Sequence, residues 1–107
     1  MTFYTFADGI SCPDLIKAEN LDRYCDGYLS VVGERGGRDY YAGIGSTNAG
    51  CRIEFKDGNW WLGEEEDIFR LDADVWCPTQ GEAGSWFANL WDKSEEGRVV
   101  GKLYTGV

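Results

Sequence analysis

Residues 52–63, Arg-Ile-Glu-Phe-Lys-Asp-Gly-Asn-Trp-Trp-Leu-Gly, leave this chain few ways to fold. Asp57-Gly58 supplies the two positive-φ positions of a type I′ turn between alternating apolar residues, so the chain is expected to reverse there and pair Phe55 with Trp60. Cross-strand partners project to the same side. Ile53, Phe55, Trp60 and Leu62 therefore share one face of the ribbon, and Arg52, Glu54 and Trp61 share the other. One tryptophan belongs to a core, while its neighbour stands among charges. A slip of one residue would exchange the two. Four carboxylates in a row follow directly, Glu64, Glu65, Glu66 and Asp67.

At 107 residues the chain is read as a single domain spanning 1–107. Its 15 Gly, five Trp and six Tyr against two Pro favour short strands joined by glycine turns. Thr2–Phe6 reads as a first strand, stopped at Asp8-Gly9. Ser11-Cys12-Pro13-Asp14 has the form of a helix start, with proline at the first helical position and an acid facing the positive dipole end. The spacing of Leu15, Ala18, Leu21 and Cys25 predicts a helix over Pro13–Tyr24, ended by Asp26-Gly27. Tyr28–Val32 and Asp39–Ile44 read as a hairpin closed by Glu34-Arg35-Gly36-Gly37. The glycine-rich stretch 43–50 is followed by a strand pattern and lacks the helix that a phosphate loop requires, so it reads as a connection.

Ile68–Trp76 alternates, with Phe69, Leu71, Ala73 and Val75 on one side and Arg70, Asp72 and Asp74 on the other, as in a half-buried antiparallel strand. Ser85–Asp92 and Arg98–Thr105 are expected to form the last hairpin. If Asp92 faces Arg98, Phe87 and Trp91 share a face with Gly101 and Leu103, and Gly101 leaves room for Trp91. The expected fold is α+β: an antiparallel β-rich domain of about seven or eight short strands, rolled or sandwiched, with one N-terminal helix. Its core is expected to hold Trp60, Phe69, Leu71, Val75, Leu90, Trp91 and Leu103, with Leu15 and Leu21 from the helix.

Cys12, Cys25, Cys51 and Cys77 include no C-x-x-C pair, and the chain has no histidine, so no metal site is expected. The stretch Met-Thr-Phe-Tyr-Thr-Phe-Ala-Asp lacks the basic and apolar regions of a secretory signal, which leads to the expectation of reduced thiols and a cytoplasmic protein. No apolar stretch approaches the roughly 20 residues of a membrane helix. Without histidine the usual catalytic base and the partner of a catalytic Ser or Cys are missing, so neither an enzyme nor a cofactor is expected. Asp72-x-Asp74 lacks the glycine and distal glutamate of a calcium loop.

Nineteen acids against ten bases give a net charge of −9, and between Glu54 and Asp74 there are eight acids and two bases. A phosphate backbone would be repelled, whereas a basic protein groove would be attracted. The expected partner is a basic protein or ribonucleoprotein, with no direct nucleic acid and no membrane, bound by a monomer or small homo-oligomer. The expected contact residues are Glu54, Trp61, Glu64, Glu65, Glu66, Asp67, Asp72 and Asp74, carboxylates standing where phosphates would lie, with Trp61 as a desolvated anchor.

The run Asn89-Leu90-Trp91 and then Gly97-Arg98-Val99-Val100-Gly101-Lys102-Leu103 resembles the ends of short proteins carried by phages and plasmids. In general character the chain is similar to phage-encoded inhibitors of bacterial defence, including anti-CRISPR proteins, and to immunity proteins that neutralise nuclease toxins. Those likenesses imply inhibition by charge mimicry. A single-stranded nucleic-acid or nucleotide-binding β domain is the further alternative, with Trp61, Tyr40 and Tyr41 as stacking platforms for the first and Arg35, Arg38 and Arg52 as the cations for the second.

Overall fold

The computed structural model describes residues 11–64, 69–88, 97–98 and 101–106. Among the described residues nine short strands form one antiparallel sheet: β1 (Leu15–Glu19), β2 (Gly27–Arg35), β3 (Arg38–Gly43), β4 (Arg52–Lys56), β5 (Asn59–Gly63), β6 (Phe69–Leu71), β7 (Trp86–Ala88), the two-residue β8 (Gly97–Arg98) and β9 (Lys102–Thr105). Their spatial order is β8-β7-β6-β5-β4-β3-β2-β1-β9. Among the described residues there is no α-helix, only a 3-10 turn at Pro78–Gln80. No helix among the described residues covers its apolar face, and the sheet buries that face against itself, curling into a nearly closed, barrel-like wall. Ile16, Leu29, Tyr41, Ile53, Trp60, Leu62, Phe69, Leu71, Trp86 and Leu103 meet inside it as one cluster.

The central hairpin has the expected register. Phe55 lies opposite Trp60, and the turn residues Asp57 and Gly58 have φ of 53° and 82°. Ile53, Trp60 and Leu62 are fully buried, and Phe55 packs against them. The β2–β3 hairpin turns in the same way at Gly36 and Gly37, with φ of 64° and 81°. A bulge between Val31 and Gly33 leaves Val32 exposed.

The helix expected over Pro13–Tyr24 is corrected to strand and turn, so the fold is all-β. Leu15–Glu19 is extended, hydrogen-bonds β2 on one side and β9 on the other, and buries only alternate residues, Ile16 and Ala18. The stretch Pro13–Tyr24 is at the short end for helical propensity to outweigh two ladders, and Ile16 and Ala18 fit a period of two. Leu15 is half-buried instead of filling the core, whereas Leu21 is buried. After β1, Asp26 Oδ1 accepts hydrogen bonds from the backbone N–H of Leu21 (3.0 Å) and Asp22 (3.2 Å), tying the chain into a turn.

Two further expectations change. The strand after the acidic run ends at Leu71: the Asp72 N–H still bonds the Ser85 carbonyl, but the Val75 and Trp76 carbonyls accept from side chains. The last hairpin pairs Phe87 with Arg98, not with Leu103. Strand β9 then crosses to the other edge of the sheet, where Leu103 lies opposite Ala18. Gly101 permits that crossing, because a β-carbon there would strike the Glu19 and Asn20 carbonyls. Thr2–Phe6, Leu90 and Trp91 lie outside the described residues.

The expectation of free thiols is also corrected. Cys12 is bonded to Cys77 and Cys25 to Cys51, across sequence separations of 65 and 26 residues. The second link joins the turn before β2 to the loop after β3. That loop is built around Asn48, which is 1% exposed. Its Oδ1 accepts from the Gly45 N–H at 2.8 Å, and its Nδ2 donates to the carbonyls of Tyr28 (3.1 Å) and Cys25 (3.4 Å). Asn48→Leu keeps the volume and strands all three groups. It is expected to cost about 2 to 3 kcal/mol, read as a lower urea midpoint with an unchanged slope.

Candidate functional site

The outward row of the sheet through Trp61 reads Glu54, Trp61, Arg70 and Phe87 on β4 to β7, each directly opposite the next. Trp61 is half-buried, and its Nε1 donates to the Lys56 carbonyl at 3.1 Å, which pins the indole against the strand edge. Arg35 Nη1 lies 3.9 Å from Glu54 Oε1, and Arg70 Nη1 lies 3.7 Å from Asp72 Oδ1. The structure thus brings Glu54, Trp61 and Asp72 to one face but interleaves them with arginines. Glu64 is exposed just beyond β5, and Asp74 is exposed beyond β6. Glu65, Glu66 and Asp67 lie outside the described residues.

A cavity of about 260 Å³ lies beside the tip of the β2–β3 hairpin, among Cys12, Asp14, Glu34, Arg38, Asp39 and Trp76. Its construction starts with Arg38. The guanidinium lies 3.9 Å from the ring centroids of both Phe55 and Trp76, and Nη1 donates to the Val75 and Trp76 carbonyls, each at 3.1 Å. This cation therefore fastens the 75–76 segment against the hairpin and stands Trp76 up as a wall. On the opposite rim Tyr41 donates its hydroxyl to the Pro13 carbonyl at 2.6 Å, and the Val31 N–H bonds the Asp14 carbonyl, which sets Asp14 at the mouth. Burial raises the Tyr41 hydroxyl pKa well above its ordinary value, with Asp39 and Asp14 adding to the effect.

Glu34 and Asp39 are direct cross-strand partners. Like charges placed opposite one another destabilise a sheet. Among the described residues the side-chain carboxylates of Asp14, Glu34 and Asp39 make no ion pair and no hydrogen bond. The Asp39 carboxyl is held above the ordinary aspartate range, first by burial and then by the charges of Glu34 and Asp14. Such a mouth can receive an ammonium or a guanidinium. No cluster of His, Cys, Asp and Glu suited to a metal ion occurs among the described residues.

Sequence reasoning did not find this cavity. A hairpin closed by Glu34-Arg35-Gly36-Gly37 places Glu34 in the turn, whereas it lies on β2 opposite Asp39, and nothing in the spacing of residues 14, 34, 39 and 76 says that they meet. The class defined by these features is a disulfide-linked, all-β domain with an acidic recess at a hairpin tip. No protein family, curated protein or solved structure matches the chain.

Proposed function

We propose that this chain is a binding domain that docks on a basic surface of another protein, with the recess beside the β2–β3 hairpin as its anchor point. The observation that carries this reading is the set of unpartnered carboxylates, Asp14, Glu34 and Asp39, converging on one cavity. That arrangement costs the free domain stability, and an inserted lysine or arginine removes the cost. Arg35, which follows Glu34 on β2, reaches Glu54 on the Trp61 face. Glu54, Trp61 and Asp72 extend the proposed contact, and Glu64 to Asp67 with Asp74 add steering charge. A net charge of −9 speeds encounter with a basic partner. Inhibition of a nucleic-acid-binding protein is the form of this reading in which the carboxylates stand in for phosphates. Two disulfides favour a compartment where thiols oxidise, so a partner is best sought there first.

The test is calorimetric titration with a tetra-arginine peptide and, in parallel, with oligothymidine. The peptide is expected to bind at low salt and to weaken as salt rises, while the oligonucleotide gives no heat. Glu34→Gln combined with Asp39→Asn should weaken the peptide at least tenfold and yet raise the melting temperature. Undiminished binding by that double variant would end the proposal.

The pH dependence has a definite sign. Asp39 holds its proton more tightly folded than unfolded, so its contribution to stability is greatest at low pH. That contribution is lost as pH rises from the unfolded value of 3.8 through the raised folded value. In Asp39→Asn this part of the stability–pH curve should vanish.

A further inference from the structure

We propose that the two disulfides are unequal: Cys12–Cys77, at the rim of the recess, is a redox latch that a dithiol opens while Cys25–Cys51 stays closed, and its opening dismantles the recess without unfolding the domain. The consequence for binding rests on the reading above; the unequal reactivity does not.

Thiol–disulfide exchange requires a thiolate to reach one sulfur of the bond. Cys25 and Cys51 are both fully buried within the core cluster. Cys77 is also buried, at 3% exposure, but Cys12 is half-buried, lines the recess and follows the exposed Ser11. Cys12 is therefore the sulfur of this bond that a thiolate can reach, from the side of the exposed Ser11 and not past the recess carboxylates, and attack there displaces Cys77 as the leaving thiolate. With a dithiol the step balances. The first reductant sulfur bonds Cys12, and the second then attacks that sulfur and releases Cys12. The reductant is oxidised to a cyclic disulfide while Cys12 and Cys77 each gain a proton.

Both flanks are anchored independently of the bond. On one side the Pro13 carbonyl is held by the Tyr41 hydroxyl, and the Asp14 carbonyl by the Val31 N–H. On the other, Arg38 and Trp60 hold the Val75 carbonyl, Arg38 also holds that of Trp76, and the Cys77 N–H donates to Gln80 Oε1 at 2.8 Å. Cleavage thus frees the rim at Ser11 and Cys12 and leaves the sheet clamped. The cavity loses one wall and its carboxylates become more hydrated.

The experiment exposes the native protein to graded dithiothreitol, traps thiols with iodoacetamide and maps them by peptide mass. Cys12 and Cys77 should become alkylated at reductant concentrations that leave Cys25 and Cys51 linked. Opening of Cys25–Cys51 first, or of all four cysteines together, would overturn the proposal. In the selectively reduced protein, amide resonances of Ser11, Asp14, Glu34 and Asp39 and the Trp76 indole signal should move, while those of Ile16, Leu29 and Leu62 stay. Unmoved recess signals, or collapse of the core signals, would also overturn it. Tetra-arginine should bind the reduced protein, and the Cys12→Ser with Cys77→Ser variant, at least fivefold more weakly than the oxidised protein. Equal binding to oxidised and reduced forms would refute the latch. If the peptide binds neither form while thiol order and recess signals behave as stated, the latch stands and the proposed binding function falls.

Discussion

Replacing Cys25 and Cys51 together by alanine should lower the stability of the domain by about 4 to 5 kcal/mol. Constraint of the unfolded chain across 26 residues accounts for about 3.5 kcal/mol of this in the loop-entropy account, and lost packing of two buried sulfurs supplies the rest. In the same account the longer Cys12–Cys77 loop constrains the unfolded chain by about 4.3 kcal/mol, so it is the packing of two cysteines at 0% exposure that brings this link to a comparable cost. Opening it also loosens the chain around the Asn48 loop, so the Tyr28 and Cys25 carbonyls lose their fixed donor. Urea denaturation of the double variant, followed by far-ultraviolet circular dichroism, gives the number. A loss smaller than about 1 kcal/mol would show that the link contributes neither constraint nor packing.

Trp60→Ala is the second change of that size, with an expected cost of about 3 to 5 kcal/mol. Trp60 is fully buried, meets Phe55 edge-on with ring centroids 5.4 Å apart, and donates its Nε1 hydrogen to the Val75 carbonyl at 3.3 Å. Its removal empties the middle of the core and releases one tether of the segment that walls the recess. Stability and tetra-arginine affinity should therefore fall together. Trp61→Ala, one residue on, should cost less than about 1 kcal/mol because that ring lies on the outer face. Equal losses for the two variants would mean that the hairpin register is not the one described.

Those neighbouring tryptophans show how much was legible in the residues alone. Their separation follows from the Asp57-Gly58 turn and the alternation about it, both short-range. The same reasoning anticipates a reversal within residues 34–37, although the strands run on to Arg35 and resume at Arg38, and the burial of Phe69 and Leu71 around Arg70. The candidate site was legible only in fragments. Glu54 and Trp61 were expected to share a face, and they do, but Arg70 and Arg35 beside them came from strands whose pairing partners no local pattern specifies.

The segment Leu15–Glu19 marks where sequence stops deciding. Leu15, Ala18, Leu21 and Cys25 fit a helix while Ile16 with Ala18 fits a strand, and a stretch as short as Pro13–Tyr24 is not held helical by propensity alone. The open ladders of β2 and β9 settled it by pairing the segment on both sides. Four cysteines allow three pairings, and the expectation of reduced thiols chose none of them. Only the curl of the sheet brings position 12 to 77 and position 25 to 51. Sequence by itself determined the turns, the alternation and the excess of negative charge, because these depend on neighbours a few residues apart. The all-β wall, the path of β9, the disulfide pairing and the recess were decided by tertiary structure, because each depends on contacts between residues far apart in the chain.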